Sequence, residues 1–255
     1  MTDPVADFYH VAARLIQESH HGVVFTGAGI STPSGIPDFR STSTGLWQKN
    51  DPMLVASLTA FRYHPDRFFH WLRPLLQASK QAVPNPAHHA IFQLEQLGRI
   101  NSVITQNIDG LHQKAGSGYV IELHGSMEQF HCPTCQKPAS DPDGVIDEII
   151  TGQIPYCTHC GAIIKPDITL YEEALPLNAW QQASNEVRLA DLMIVVGSSL
   201  EVIPASSLPY DVYRNGGKII VINYSPTYMD KHADVVIRED VAEALPGIIG
   251  VISTG

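Results

Sequence analysis

Six short runs of β-branched and apolar residues recur along the chain, separated by longer stretches with helical patterning, and this alternation most restricts the folds open to it. The runs are Val23-Val24-Phe25-Thr26, Ser102-Val103-Ile104-Thr105, Tyr119-Val120-Ile121-Glu122, Leu192-Met193-Ile194-Val195-Val196, Lys218-Ile219-Ile220-Val221-Ile222 and Asp234-Val235-Val236-Ile237. Strands that alternate with helices build a parallel sheet with helices packed against it. The last three runs are apolar nearly throughout, as strands covered on both faces are. The predicted class is therefore α/β, a Rossmann-like parallel sheet with helices on both faces. Two stretches break the rhythm. Residues 41–86 carry Phe61, Phe68, Phe69, Trp71, Leu72, Leu75 and Leu76 in helix-like patterning but offer the sheet no strand, whereas 128–166 are rich in Pro, Gly and Asp and hold every cysteine. Both read as insertions that build a smaller domain, which leaves 1–40, 87–127 and 167–255 to the sheet. A chain of 255 residues can supply both parts with a core.

Cys132, Cys135, Cys157 and Cys160 form two CxxC pairs with 21 residues between them. Four thiolates so spaced can surround one tetrahedral Zn²⁺, each pair making a tight knuckle. A redox pair, or a ligand set in which His131 or His159 replaces a thiolate, remains compatible with the same segment. Four cysteine ligands leave no open position for water, so a zinc here is structural and the smaller domain is a zinc-binding and helical one. Disulfides fit poorly, because a chain of this length has no need of both inside one 29-residue window.

The first run leads directly into Gly27-Ala28-Gly29-Ile30-Ser31-Thr32-Pro33-Ser34-Gly35. Glycines after a first strand permit a tight turn and let backbone N–H groups approach a pyrophosphate, although the third glycine is late for GxGxxG and an ordinary turn uses the same residues. Asp38, Phe39 and Arg40 follow, an acid, an aromatic and a guanidinium just past that loop. The second run leads into Gln106-Asn107-Ile108-Asp109-Gly110-Leu111-His112, at a carboxyl end where open α/β sheets bind ligands. Amides and carboxylates there can pair with a carboxamide, a ribose hydroxyl or water, and they are also ordinary loop formers. His124 ends the third run at the same edge, where a neutral imidazole can accept a hydroxyl proton near neutral pH.

Sixteen Lys and Arg stand against 26 Asp and Glu, a formal charge of −10. That balance argues against direct nucleic-acid binding, which needs a basic surplus, and suits a positively charged partner. The first residues show no basic region followed by an apolar stretch, and no apolar run approaches a membrane span. No membrane partner and a cytoplasmic location are expected.

GAGISTPSGIPDFR (27–40) resembles the longest signature of the sirtuin family of NAD-dependent protein deacylases. Thr105-Gln106-Asn107-Ile108-Asp109-Gly110-Leu111-His112, His124-Gly125, the paired cysteines, Gly197-Ser198-Ser199-Leu200 and Ile222-Asn223-Tyr224-Ser225-Pro226-Thr227 follow in that family's order. The likeness, to the bacterial or archaeal type, spans about residues 22–241. It implies that NAD is held by Gly27, Ala28, Gly29, Ile30, Ser31, Thr32, Asp38, Phe39 and Arg40, with Phe39 shielding the ribose. Asp109 and Ile108 would hold nicotinamide, Asn107 would position ribose or water, and Gln106 would contact ribose. Gly197, Ser198, Ser199, Asn223, Tyr224, Ser225 and Val241 are assigned to the phosphates, adenosine ribose and adenine. His124 is implied as the general base, and His112 as a brace for its loop.

Residues 165–173 and 197–204 resemble the two segments that sandwich an acyl-lysine peptide as an added strand, which assigns Thr169, Tyr171, Glu172 and Val202 to substrate. Many family members have Phe-Gly-Glu where this chain has Tyr171-Glu172-Glu173. Glu172, Glu173 and Glu201 are expected to favour lysine-rich flanks, unless they form only a solvated face. The Tyr-x-x-Arg pair of members that remove succinyl or malonyl groups is missing, its nearest register falling on Leu72 and Leu75. An apolar tunnel walled by Val202 and Phe39 suits acetyl and other neutral acyl groups. The implied activity is NAD-dependent lysine deacetylation, giving nicotinamide, free lysine and O-acetyl-ADP-ribose. A mono-ADP-ribosyltransferase and a non-catalytic NAD-sensing or zinc-scaffold protein are the alternatives.

Overall fold

The structure, a computed structural model, describes residues 4–40, 45–48 and 50–254; residues 41–44, where the first insertion begins, lie outside the described residues. Eight strands are formed among the described residues: β1 (Gly22–Thr26), β2 (Ser102–Thr105), β3 (Val120–Glu122), β4 (Gly125–His131), β5 (Lys165–Ile168), β6 (Leu192–Val196), β7 (Lys218–Ile222) and β8 (Val235–Ile237). Six of them build one sheet in the order β3-β2-β1-β6-β7-β8, every adjacent pair parallel. These six strands come from the six apolar runs. Their order places β1 at the centre with the chain winding outward in both directions, as in doubly wound nucleotide-binding sheets, and the winding reverses between β1 and β6. Thr26 aligns with Thr105 on one side and Val196 on the other, so the loops after β1, β2 and β6 leave the sheet at one level.

Alternation within the strands sorts their side chains into two cores, which is why the runs read as continuously apolar. Val24, Val103, Ile194 and Ile220 pack under the helices Pro4–Glu18, Pro86–Gln96 and Val241–Thr254. Val23, Phe25, Met193 and Val221 pack on the other face with Ala183 and Val187 of helix Leu177–Leu189 and Val212 of helix Leu208–Arg214. Each Val, Ile, Met or Phe side chain among these, fully buried, contributes about 1.5–3 kcal/mol relative to exposure.

β4 and β5 pair antiparallel in a separate two-stranded sheet. Met127 and Phe130 of β4 join Phe61, Phe68, Phe69, Leu72 and Leu76 of helices Leu58–Tyr63 and Pro65–Gln81, together with Ile149 of helix Pro142–Ile150. Both insertions thus contribute to one apolar cluster, and Cys132 and Cys157 are buried in it. No described helix is long and apolar enough to cross a membrane.

Candidate active site

The loops after β1 and β6 meet so closely that only glycine fits between them. Gly29 donates its N–H to the Gly197 carbonyl at 2.8 Å. A Cβ on Gly27 would come within 2.8 Å of that same oxygen, and one on Gly197 within 2.3 Å of the Ile30 nitrogen. Gly197 also has φ +59°, the left-handed region that glycine adopts without strain. The late third glycine is thus no obstacle, since the close approach comes from a glycine of another loop.

Side chains of the β2 loop lock this junction. Gln106 donates from Nε2 to Ser198 Oγ at 2.8 Å. Asn107 donates from Nδ2 to the Gly27 carbonyl and to Ser31 Oγ, both at 3.1 Å. Ser31 in turn donates to Asp109 Oδ2 at 2.7 Å, and Asp109 Oδ1 accepts from the Leu111 N–H at 3.0 Å. Burial raises the Asp109 pKa above the ordinary carboxylate value, with these hydrogen bonds pulling the other way. Asn85, which sequence reasoning passed over, caps helix Pro86–Gln96 and donates to the Ile30 carbonyl at 2.8 Å and to Ser34 Oγ at 2.9 Å. Its only signal was Asn before Pro, an ordinary helix start.

His112 braces the β2 loop from beneath. The Thr26 hydroxyl gives its hydrogen to Thr105 Oγ1 at 2.8 Å, so it accepts from His112 Nε2 at 3.0 Å, while Thr105 Oγ1 accepts the Asn107 N–H at 3.0 Å. This fixes the hydrogen on Nε2 and leaves Nδ1 buried without a partner. His88 packs edge-on against the same ring, 5.0 Å between centroids. Burial lowers His112 to about 3 and His88 to about 4 from 6.5, with lesser contributions from the neighbouring imidazoles. Folding therefore favours the neutral forms, so their stability is complete above pH 6.5 and is lost as pH falls toward those lowered values. His112→Gln is expected to lose about 2 kcal/mol less than wild type between pH 7 and 5 by urea unfolding, the His contribution alone. Parallel pH slopes for the two proteins would overturn this.

His124 sits where these loops face β5. Its Nδ1 lies 2.9 Å from the Gln106 carbonyl, which can only accept, so Nδ1 carries the hydrogen and Nε2 keeps its lone pair. Burial lowers the His124 pKa below 6.5, opposed by that hydrogen bond and reinforced by Arg40. A neutral imidazole at neutral pH results. The His124 carbonyl accepts from the Thr169 N–H at 2.8 Å, which ties the histidine to the segment after β5.

One cavity of about 930 Å³ runs along these groups. It is lined by Gly27, Ala28, Gly29, Ser31, Thr32, Asp38, Phe39, Arg40, Gln106, Asn107, Ile108, Asp109 and His124, then by Thr169, Tyr171, Glu172, Gly197, Ser198, Ser199, Val202, Asn223, Tyr224, Ser225 and Val241. Ile30 is the exception among the expected contacts. It is fully buried with Val24 and Ile194 and lines no part of the cavity, because its side chain points into the sheet core while its backbone follows the turn.

The inner end of the cavity is aromatic. Phe39 stacks on Trp47 at 5.1 Å and Trp47 on Trp71 at 5.9 Å, with Tyr171 edge-on to Trp47. The helix Pro65–Gln81 presents Trp71 and Leu75 to the cavity, residues four apart on one face, whereas Leu72 turns into the core. Arg73 is directed elsewhere, donating to the Ile149 carbonyl at 2.9 Å. Arg40 is the sole Lys or Arg among the described lining residues, and Glu201 holds it at 3.0 Å. The three acids expected to recruit basic flanks are each engaged within the chain: Glu201 with Arg40, Glu173 with buried Lys165 at 2.9 Å, and Glu172 with Thr59.

The four cysteine sulfurs lie within 4.8 Å of one another, away from this cavity. Cys132 and Cys160 are 3.4 Å apart, and Cys135 and Cys157 3.7 Å. Tetrahedral Zn²⁺ with bonds of about 2.3 Å spaces its sulfurs by about 3.8 Å, so the donor set fits that ion. Each knuckle turns through a left-handed residue just after its second cysteine, Gln136 (φ +59°) and Gly161 (φ +75°). The Cys135 N–H, chief among several donors, brings Cys132 down to about 6, toward the thiolate a metal needs. His131 pairs with Asp167, and His159 lies 3.2 Å from Lys137 Nζ, so both imidazoles have other partners.

A doubly wound sheet whose glycine-lined loops meet at its switch point, with a half-buried histidine beside them and a four-cysteine cluster, places the chain among nucleotide-binding α/β proteins. The chain belongs to the Sir2 family, whose profile matches residues 27–204. It is 44% identical over 240 residues to an NAD-dependent protein deacetylase of Sulfurisphaera tokodaii, covering 94% of each chain. It is also 44% identical over 239 residues to NAD-dependent protein deacylase 2 of Archaeoglobus fulgidus, covering 93% of each. A solved Sir2 structure with a p53 peptide and NAD+ superposes with TM-score 0.87 at 39% identity, over 96% of this chain and 98% of that one.

Proposed function

We propose that the protein is an NAD-dependent protein-lysine deacetylase, which moves an acetyl or other neutral acyl group from lysine to ADP-ribose and releases nicotinamide. The position of His124 carries this reading: a neutral imidazole whose free Nε2 belongs to the cavity, fixed on one side to the β2 loop and on the other to the segment after β5. NAD supplies the ribose carbon at which nicotinamide leaves and the hydroxyl that receives the acyl group. The chain's residues do the rest. Gly27, Gly29 and Gly197 line the cavity where the pyrophosphate would lie, and Ser198, Ser199, Asn223, Tyr224, Ser225 and Val241 line the adenosine end. Ile108 and Asp109 enclose the nicotinamide, Gln106 and Asn107 hold the ribose, and Phe39 excludes water from it. His124 takes the proton of the ribose hydroxyl. Residues 169–172 and Val202 form the two edges between which the peptide lies as a strand.

The sheet domain of 1–40, 87–127 and 167–255 and the smaller domain of 41–86 and 128–166 are part of the same proposal, the cavity lying where they adjoin. Four free cysteines placed for a metal fit a reducing cytoplasm, and the charge of −10 fits a lysine-bearing protein partner and no nucleic acid.

Incubation with NAD and an acetyl-lysine peptide tests the activity: deacetylated peptide with O-acetyl-ADP-ribose supports it. ADP-ribosylated protein would support a transferase instead, and NAD binding without either product a sensor. The aromatic end of the cavity gives a sharper expectation. A succinyl group would bury its carboxylate against Trp47, Trp71 and Leu75, where the one Lys or Arg among the described lining residues, Arg40, is already paired with Glu201, so kcat/KM for succinyl-lysine should be about 100-fold or more below that for acetyl-lysine. Comparable turnover of both peptides would refute this.

A further inference from the structure

Glu172 has φ +74°, a left-handed conformation that L-residues other than Asn and Asp seldom adopt, at the position where many family members carry glycine. Glycine would take this backbone without strain, but it would lack the contacts that the Glu172 side chain makes. Both carboxylate oxygens reach one residue of the helical insertion: Oε2 accepts the Thr59 N–H at 2.8 Å and Oε1 the Thr59 hydroxyl at 3.1 Å. The adjoining backbone is fastened to the same place. Tyr171 donates to the Ala56 carbonyl and accepts from the Leu58 N–H, both at 3.0 Å. At its other end the segment is pinned through Thr169 to the His124 carbonyl, and Leu170 donates to Glu173 Oε2 at 2.9 Å.

We propose that Glu172 is a positioning residue that clamps the 169–173 edge to the helical insertion and thereby sets the affinity for the acyl-lysine peptide. This rests on the deacetylase reading. An edge already fixed in place loses less freedom when a peptide pairs with it, and the gain falls on binding rather than on the chemical step. Glu172 acts through Thr59, whose N–H and hydroxyl hold its carboxylate in place.

The test is steady-state kinetics of Glu172→Gly, Glu172→Gln and Thr59→Ala, with peptide and NAD varied separately. Glu172→Gly relieves the backbone strain but removes the clamp, and should raise peptide KM by about three- to tenfold with kcat and the NAD KM within twofold of wild type. Glu172→Gln, whose amide oxygen still accepts from Thr59, should restore most of the peptide affinity. Thr59→Ala should weaken peptide binding in the wild-type background but not in Glu172→Gly. An unchanged peptide KM in Glu172→Gly, or equal losses in kcat and the NAD KM, overturns the inference while the activity stands. Wild-type protein that deacylates no peptide overturns the activity and the inference with it.

Discussion

The His124→Ala variant is expected to deacetylate acetyl-lysine peptide with kcat/KM about 10²–10⁴-fold below wild type, the range for a positioned general base. The loss should be chemical. Among the described residues His124 bonds no other side chain, and its carbonyl, not its ring, holds Thr169, so alanine loses the ring's hydrogen bond to the Gln106 carbonyl, about 1 kcal/mol, and keeps the backbone tie. NAD binding by calorimetry and the unfolding midpoint should therefore change little. The wild-type pH profile follows from the same environment. With its pKa held below 6.5 by burial, the imidazole is neutral at pH 7, and protonation removes the lone pair that accepts the proton. kcat/KM should be level near neutrality and fall as pH drops through a value under 6.5, and this limb should vanish in the variant. Full turnover by His124→Ala removes the base from the mechanism.

The parts of this site that were legible in the sequence are those governed by local rules. The six runs became the six strands of the main sheet because burial on both faces demands apolar residues at most positions. What sequence spacing could not supply is adjacency across the switch point: Gly29 and Gly197 touch only because the strand order places β6 beside β1. β4 and β5 escaped notice for local reasons. Gly125-Ser126-Met127-Glu128-Gln129-Phe130-His131 buries only Met127 and Phe130, and Lys165-Pro166-Asp167-Ile168 contains a proline, which argues against a strand away from an edge. Ile30 read as a contact because its motif is a ligand loop, yet turn backbones can face a ligand while one side chain anchors the turn below. Trp71 was visible as an apolar helix residue, but its stacking with Trp47 joins two parts of the insertion that no periodicity links. The partners of the acids near the peptide edge were equally hidden, since composition counts charge and cannot show that Glu173 pairs with Lys165, Glu201 with Arg40, and that Glu172 is hydrogen-bonded by Thr59.

Cys157→Ser is expected to lose the zinc and, with it, the order of residues 128–166. Structural Zn²⁺ in small tetrathiolate modules contributes about 10–16 kcal/mol to folding at neutral pH, more than a whole domain's usual margin of about 5–15 kcal/mol. Beyond the knuckles, the segment buries only Phe130 of β4, Val145 and Ile149 of one helix and Ile164 before β5, while Ala139, Ile146, Ile150, Ile154, Ala162 and Ile163 pack half-buried at the cluster's edge. Cys132 and Cys157 are themselves buried in the cluster that contains Phe130, Trp71 and Leu75. Losing the ion therefore loosens the aromatic end of the cavity and the β4–β5 sheet that carries residue 169 toward His124. Deacetylation should fall more than tenfold although no thiol approaches the cavity. The six-stranded sheet draws its cores from elsewhere, so protease cleavage should concentrate within 128–166 while the sheet fragments resist. Metal analysis should return one zinc per wild-type chain and little in the variant, and a strong chelator should reproduce the variant's behaviour in wild-type protein. A metal-free wild-type chain with full activity and a protease-resistant cysteine segment would show that hydrogen bonds and apolar packing suffice there, and the tetrathiolate would lose its structural role.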